Sequence, residues 1–343
     1  QRNGSLLHLL DKCHTAMGSR MLNKWLNHPL IDVKAIRERQ EYVTRFMNDF
    51  VLRSEIENAL KTVYDLERIV GRISCGNCNA KDLAQLRRSL SNIPNIKELL
   101  INTNDSLLVK MGNEIDPISE VHELLVKALV ENPPLVIKEG GMFNPEFDEQ
   151  LLELTNLKNN SKEWILNYEI TEREKTGIKT LKVGYNHVFG YYIEVSKSFI
   201  GSPLLENYDR KQTLANAERF ITPELKEYEA KVLSASDKII QLEYDLFINL
   251  KEEVATYIKR IQKLADKLSN IDCLVAFANI ALKNNYVKPE FNMTRDITII
   301  DGRHPVVETV LKNDYVSNDV IVNKYNTLLI TGPNMSGKST YMR

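Results

Sequence analysis

From Thr222-Pro223 to about Asn284 the chain reads as almost uninterrupted helix. A threonine cap followed by proline at the first helical position starts it. The only possible break is near Ser269-Asn270. About sixty helical residues at 1.5 Å each would span roughly 90 Å. No single globular core hides a helix of that length, so the pattern predicts an arm lying against the earlier helices.

The remaining sequence fits that plan. Residues 1–130 are mostly helical, with apolar residues three or four apart, as in Ile56, Leu60, Val63 and Leu66. Pro133-Pro134 and Gly140-Gly141 mark a loop, and helix resumes toward Trp164 and Tyr168. After Thr176-Gly177 the period changes to two. Leu181, Val183 and Tyr185, then Tyr191 to Val195, alternate around hairpin-turn chemistry at Tyr185–Gly190. Arg210 to Ile221 reads as a third extended run. The expected fold class is therefore mainly α and multidomain, a long helical lever with a small antiparallel β insert at its turn-around. The boundaries are 1–160 for the first helical part, 161–222 for the β insert, 223–285 for the returning helices and 286–343 for a different, C-terminal segment.

That segment carries the most specific chemistry. Thr327-Leu-Leu-Ile-Thr331 reads as a buried strand running into Gly332-Pro333-Asn334-Met335-Ser336-Gly337-Lys338-Ser339. Every fixed position of the phosphate-binding P-loop is present. Gly332 and Gly337 let the backbone curl so that N–H groups face phosphates. Lys338 brings positive charge to the β- and γ-phosphates, and Ser339 offers a hydroxyl to Mg²⁺. The start of the following helix, at Thr340, favours an anion. The expected cofactors are ATP and Mg²⁺.

Composition sets limits. With 343 residues the chain suggests two or three domains. Lys and Arg total 45 against 46 Asp and Glu, so any basic footprint must be local. No apolar run approaches the ~20 residues of a membrane span. Cys75-Gly-Asn-Cys78 is half of a zinc-site spacing without a second half, so the four cysteines read as reduced thiols of a cytoplasmic protein. Gln1 to Gly4 has neither an initiator Met nor a signal-peptide pattern, and the chain stops four residues after Ser339. It reads as a segment of a longer protein.

The filling of the P-loop narrows the class. Thr331 to Arg343, T-G-P-N-M-S-G-K-S-T-Y-M-R, resembles the nucleotide loop of MutS-type DNA mismatch repair ATPases, bacterial mismatch-binding branch. Gly302-Arg303-His304-Pro305-Val306-Val307-Glu308 is similar to the opening of that family's ATPase domain. Gly184-Tyr185-Asn186, Gly190 to Val195 and Arg210 to Arg219 resemble its DNA clamp. Met17-Gly18-Ser19-Arg20 with Trp25-Leu26 resembles the start of its core-and-lever region. Gly140 to Asn144 is a few residues shorter than the family's usual loop, with nothing functional assigned to it.

The resemblance implies a dimer that encircles double-stranded DNA, with ABC-type ATPase sites that open and shut the ring and a MutL-type repair protein downstream. It implies a DNA-dependent ATPase in the cytoplasm, at the nucleoid. The mismatch-reading domain would precede Gln1 and the acidic and signature ATPase motifs would follow Arg343, so Lys338 is the one catalytic group expected here and the chain alone is not expected to hydrolyse ATP. The clamp should touch phosphates rather than bases. Between Lys162 and Leu225 nine basic residues face nine acidic ones, so charge alone does not mark a DNA site. The resemblance points to Asn186, His187, Lys211, Asn216 and Arg219. It also places Tyr315 and Val316 against adenine, although core packing explains them equally well. His304, next to Pro305, reads as structural rather than catalytic, and Tyr191-Tyr192 as sheet core. Two rival readings are a long-armed ATPase of the SMC type and the MutS branch acting on recombination intermediates. Lys231–Asn284 keeps no clean heptad, against the first, and the β insert argues against the second. A third reading takes the chain as a DNA-binding module only.

Overall fold

The computed structural model describes residues 4–186, 190–199, 205, 208–214, 216–311, 315–323, 327–333 and 337–342, leaving out the side chains of 161 and 162. The first 128 residues fold as α1 (Leu6–Leu10), α2 (Ala16–Asn27), α3 (Val33–Asn48), α4 (Phe50–Leu60), α5 (Leu66–Ser74), α6 (Ala80–Ser91), α7 (Ile93–Ile101), α8 (Ser106–Asn113) and α9 (Ser119–Ala128). Then come α10 (Glu149–Asn159) and α11 (Ser161–Thr176), and strands β1 (Lys182–Asn186), β2 (Gly190–Ser196), β3 (Asp209–Thr213) and β4 (Ala217–Ile221). The chain returns through α12 (Pro223–Ala255) and α13 (Ile258–Asn284), and closes with β5 (Ile297–Gly302), α14 (Pro305–Leu311), β6 (Asn318–Val322) and α15 (Lys338–Met342). The protein is mainly helical with a small antiparallel sheet. Among the described residues no helix is long and apolar enough to cross a membrane.

The single long helix expected after Pro223 is two helices. Thr222 accepts from Leu225 N–H and caps the first, as its sequence dictates. The break falls at Thr256-Tyr257, not at Ser269-Asn270. There the Thr256 hydroxyl and N–H both donate to the Glu253 carbonyl, which tightens the last turn of α12 and stops its i→i−4 ladder. The pieces span about 50 Å and about 40 Å.

Two compact units divide the chain. The first holds residues 1–74, 85–122 and 257–343. Here α13 is no exposed arm. Ile261, Leu264, Leu268, Ile271 and Leu274 are all buried, and α2, α3, α4 and α5 pack around them. Asp272, 0% exposed, accepts from the His14 N–H at 2.9 Å, the Thr15 N–H at 2.8 Å and the Thr15 hydroxyl at 2.7 Å. Burial pushes its carboxyl above the ordinary aspartate value, against the pull of those donors. The same Thr15 oxygen accepts from Gly18 N–H and so caps α2. A Cβ at Gly18 would collide with the Asp272 carboxylate, so only glycine lets α2 lie this close to α13. Among the described residues no cysteine forms a disulfide and no cluster suits a metal ion.

Near the start of α13, Arg260 pairs with Asp116 at 2.7 Å and with Glu120 at 2.5 Å. The Arg260 hydrogen bond holds the Asp116 carboxyl below its ordinary 3.8. A depressed folded-state value contributes stability that is present above pH 3.8 and lost as pH falls through the folded value. Arg260→Gln should therefore lower the melting temperature at pH 7 by an amount corresponding to under about 1 kcal/mol for the partly exposed Asp116 pair. The difference from wild type should narrow below pH 3.8. A difference that stays constant with pH would remove the pair from the account.

The second unit holds residues 75–84 and 123–256. Its sheet has the order β1-β2-β4-β3, all antiparallel. The expected third extended run is thus a hairpin of two strands, closed where Leu214 N–H donates to the Ala217 carbonyl at 2.9 Å. Tyr191, Ile193, Val195 and Phe220 point into a core with Tyr168, Ile178, Leu181 and Leu225. The Trp164 ring stacks on Tyr228, with centroids 3.5 Å apart, and on Tyr168 at 4.8 Å, joining α11 to α12. The loop to which the sequence assigns no role is pinned. Glu243 of α12, 2% exposed, accepts from the N–H groups of Gly141, Met142 and Phe143, the last two at 3.0 Å.

Candidate nucleic-acid interface and nucleotide loop

The sheet of the second unit has one covered face and one open face, because side chains alternate along each strand. On β2, Tyr191, Ile193 and Val195 are buried, while Tyr192, Glu194 and Ser196 take the other face. The tyrosine pair expected in the sheet core is therefore split between the two faces. On β4 the register sets Arg219 directly opposite Glu194. Arg219 pairs with that carboxylate at 2.9 Å, hydrogen-bonds Gln212 at 3.0 Å and lies over the Tyr192 ring at 4.0 Å. Its guanidinium is thus fully engaged within the sheet. Arg210, not singled out from the sequence, pairs with the buried Glu218 at 2.5 Å and with Thr213 at 2.6 Å. The equal numbers of basic and acidic residues in this segment reflect, in part, such pairs.

Lys211 differs. Arg210 faces Phe220 and Gln212 faces Arg219, so the register slips at Lys211 and leaves it unpaired in the ladder. Its side chain is exposed, and no carboxylate among the described residues pairs with it. Asn216 is exposed at the β3–β4 turn, where its carbonyl accepts from Lys197 N–H at 3.2 Å. Asn186 ends β1 opposite Gly190. Since Ser196 pairs with Ala217, Asn216 and Asn186 lie near opposite ends of β2. Six residue steps put those ends about 20 Å apart. The structure thus does not gather these candidates into one spot but spreads them along the sheet. His187 lies outside the described residues.

At the C-terminal end, β5 and β6 pair with each other, with Ile297 opposite Val322 and Ile299 opposite Val320. The sequence expectation for 327–331 is not met. These residues form no strand, and Leu329 is 90% exposed. A buried α/β strand needs neighbours on its ladder and helices on its faces. Among the described residues no strand offers 327–331 a ladder.

The residues expected from the sequence to form a nucleotide loop have the following local geometry. Gly337 has φ +88°, and nothing lies within 4 Å of where its Cβ would be. The Lys338 ammonium donates back to the Gly332 carbonyl, bridging the ends of the loop. Lys338, Ser339 and Thr340 form the first turn of α15, whose leading N–H groups have no helical acceptors. Tyr341 donates to the Asp319 carbonyl at 3.0 Å, fixing α15 to β6. Pro333 and Ser339 are exposed, and Asn334, Met335 and Ser336 lie outside the described residues. A cation, a hydroxyl and unpaired N–H groups form a donor set that fits a phosphate chain with Mg²⁺. His304 behaves as the sequence suggests. Its Nδ1 accepts from Val306 N–H at 3.3 Å and Val307 N–H at 3.2 Å, capping α14. Its own N–H donates to the Tyr315 hydroxyl at 2.8 Å, which positions that ring. Val316 is 76% exposed, so it is not core packing among the described residues.

The family profile of MutS domain III matches residues 1–278, from the first helices through the sheet to the body of α13. The chain belongs to the MutS domain III family. It is 49% identical over 345 aligned residues to the DNA mismatch repair protein MutS of Brevibacillus brevis, covering 100% of this chain and 40% of that relative. The proteins of the same name from Bacillus cereus and Staphylococcus haemolyticus are 50% and 49% identical, again over 100% of this chain and 39% of theirs. The chain thus spans about 40% of the length of the curated relatives it matches.

Proposed function

We propose that this chain is the lever, clamp and ATPase-opening portion of a DNA mismatch repair protein that closes around mismatched duplex DNA and couples ATP binding and hydrolysis to that closure. In this reading 1–160 and 223–285 form the helical core and lever, 161–222 the clamp and 286–343 the first part of an ABC-type ATPase domain. The whole protein works as a homodimer and passes its signal to a MutL-type protein. The observation that carries the reading is the likeness to DNA mismatch repair proteins along the entire chain. The clamp part is supported by Lys211, an exposed cation that the bulge turns out of the ladder.

Phosphate contact needs an available cation and donors, without base reading. Lys211 and Asn216 supply them. Arg219 acts through the sheet, holding Tyr192, Glu194 and Gln212 in place. ATP and Mg²⁺ bind at Gly332 to Thr340, with Tyr315 and Val316 at the base. When bound, Mg²⁺ neutralises the phosphate charge. Lys338 holds the phosphate chain and Ser339 directs its hydroxyl to the metal.

Binding of a labelled duplex, followed by anisotropy from 50 to 200 mM salt, tests the clamp. Each phosphate contact contributes about 0.9 to the slope of log K against log salt. Lys211→Ala should lower the slope by about that much on matched and mismatched duplex alike. An unchanged slope would remove Lys211 from the interface.

A further inference from the structure

In the first unit, a cleft of about 580 Å³ lies between the end of α2, one face of α3, the end of α13 and the strap of residues 286–291. The strap is built in place. Gln40 donates to the Pro289 carbonyl at 2.8 Å, Arg37 to the Phe291 carbonyl at 2.9 Å, and Lys288 pairs with Glu41. The floor is aromatic, with the Trp25 and Phe277 rings 6.0 Å apart and tilted by 49°. Leu26, Ile36 and Ile280 extend it. The volume falls in the range of sites that enclose a small organic ligand.

One wall residue is out of balance. The half-buried Arg39 lays its guanidinium over Trp25 at 3.6 Å, yet no carboxylate among the described residues pairs with it. Its neighbours in the same unit behave otherwise. Arg20 carries Asp65 and Glu67, Arg45 carries Glu41 and Asp105, and Arg260 carries Asp116 and Glu120. Burial holds Arg39 below the ordinary arginine value, as it does any cation that leaves water without gaining an anion. Tyr286 also lines the cleft, with its buried hydroxyl beside Glu308.

We propose that this cleft binds a small molecule with a flat apolar body and one anionic group. The body lies on Trp25 and Phe277. The anion takes the guanidinium fork of Arg39, which stacking on Trp25 has already oriented. A neutral hydrocarbon would leave Arg39 as it is. A polyanion would find Lys288 and Arg37 already engaged.

The probe is 8-anilinonaphthalene-1-sulfonate, an aromatic anion, compared with N-phenyl-1-naphthylamine, the same aromatic body without charge. The chain has two tryptophans, so Trp164→Phe leaves Trp25 as the only indole and energy transfer from it reports occupancy. The sulfonate should bind saturably at one site with a Kd in the tens of micromolar, on the order expected for ~20 heavy atoms. Arg39→Met should weaken it at least tenfold and leave the neutral probe unchanged. Absence of saturable transfer from Trp25, or equal weakening of both probes, overturns the proposal. If Arg39→Met unfolds the chain, wild type decides alone. Tenfold tighter binding of the sulfonate than of the amine at low salt supports the site, and equal affinity rejects it.

Discussion

Asp272→Ala is expected to destabilise the first unit by about 3–5 kcal/mol, read as a fall in the urea midpoint followed by circular dichroism at 222 nm. The carboxylate is fully buried and satisfies three donors, the N–H groups of His14 and Thr15 and the Thr15 hydroxyl. Alanine would leave the Thr15 N–H buried without an acceptor, at a cost of about 1–3 kcal/mol, and the partly buried His14 N–H without its partner. It would also free the Thr15 side chain, whose oxygen caps α2 through Gly18 N–H at 2.9 Å. The loss therefore runs from the loop before α2, through its cap, to the seam between α2 and α13. Asp272→Asn should fall between. Its amide oxygen keeps one acceptor, while the NH₂ group faces a donor. Gly18→Ala should be destabilising for a different reason, because the new methyl meets the Asp272 carboxylate directly. A midpoint for Asp272→Ala within about 1 kcal/mol of wild type would show that the three hydrogen bonds do not hold α2 to α13.

Much of this architecture is legible in the sequence, and the parts that are not share a physical cause. Local signals work. Thr222-Pro223 caps a helix, period-two alternation marks β1 and β2, and His304 beside Pro305 reads as structural and does cap α14. Failures arise where distant residues decide the outcome. Nothing local in the sequence singles out Asp272 or Glu243. Each is the acceptor for backbone N–H groups a hundred or more residues away in the chain, and no periodicity records such a partner. The break at Thr256-Tyr257 carries neither proline nor glycine, so only the hydroxyl bonding of Thr256 reveals it. In the sheet, Arg219 and Lys211 are equal candidates as letters. Register separates them, since one faces Glu194 and the other sits at the slip. The stretch Thr327–Thr331 has strand-like residues, yet strand formation depends on a neighbour, and its five letters say nothing about one.

Lys338→Ala in the full-length protein should lower ATP affinity by about thirty- to several thousandfold, because removing one partner of a desolvated ion pair costs about 2–5 kcal/mol. The ammonium already leans across the loop to the Gly332 carbonyl, so a phosphate chain would exchange one acceptor for a better, charged one. Equilibrium binding of a fluorescent ATP analogue gives the number. Duplex binding without nucleotide should not change, since the sheet that holds Lys211 belongs to the other unit. That split separates loss of the nucleotide site from loss of the fold. Lys338→Arg should not rescue binding, because the wider planar guanidinium does not reproduce a compact ammonium point charge. Ser339→Ala should behave differently again. Affinity without metal should hold, while the gain on adding Mg²⁺ should shrink, since the hydroxyl acts on the ion and not on the phosphates. Unchanged nucleotide affinity in Lys338→Ala would remove Gly332 to Thr340 from the ATP site and leave only the DNA-binding part of the proposed function.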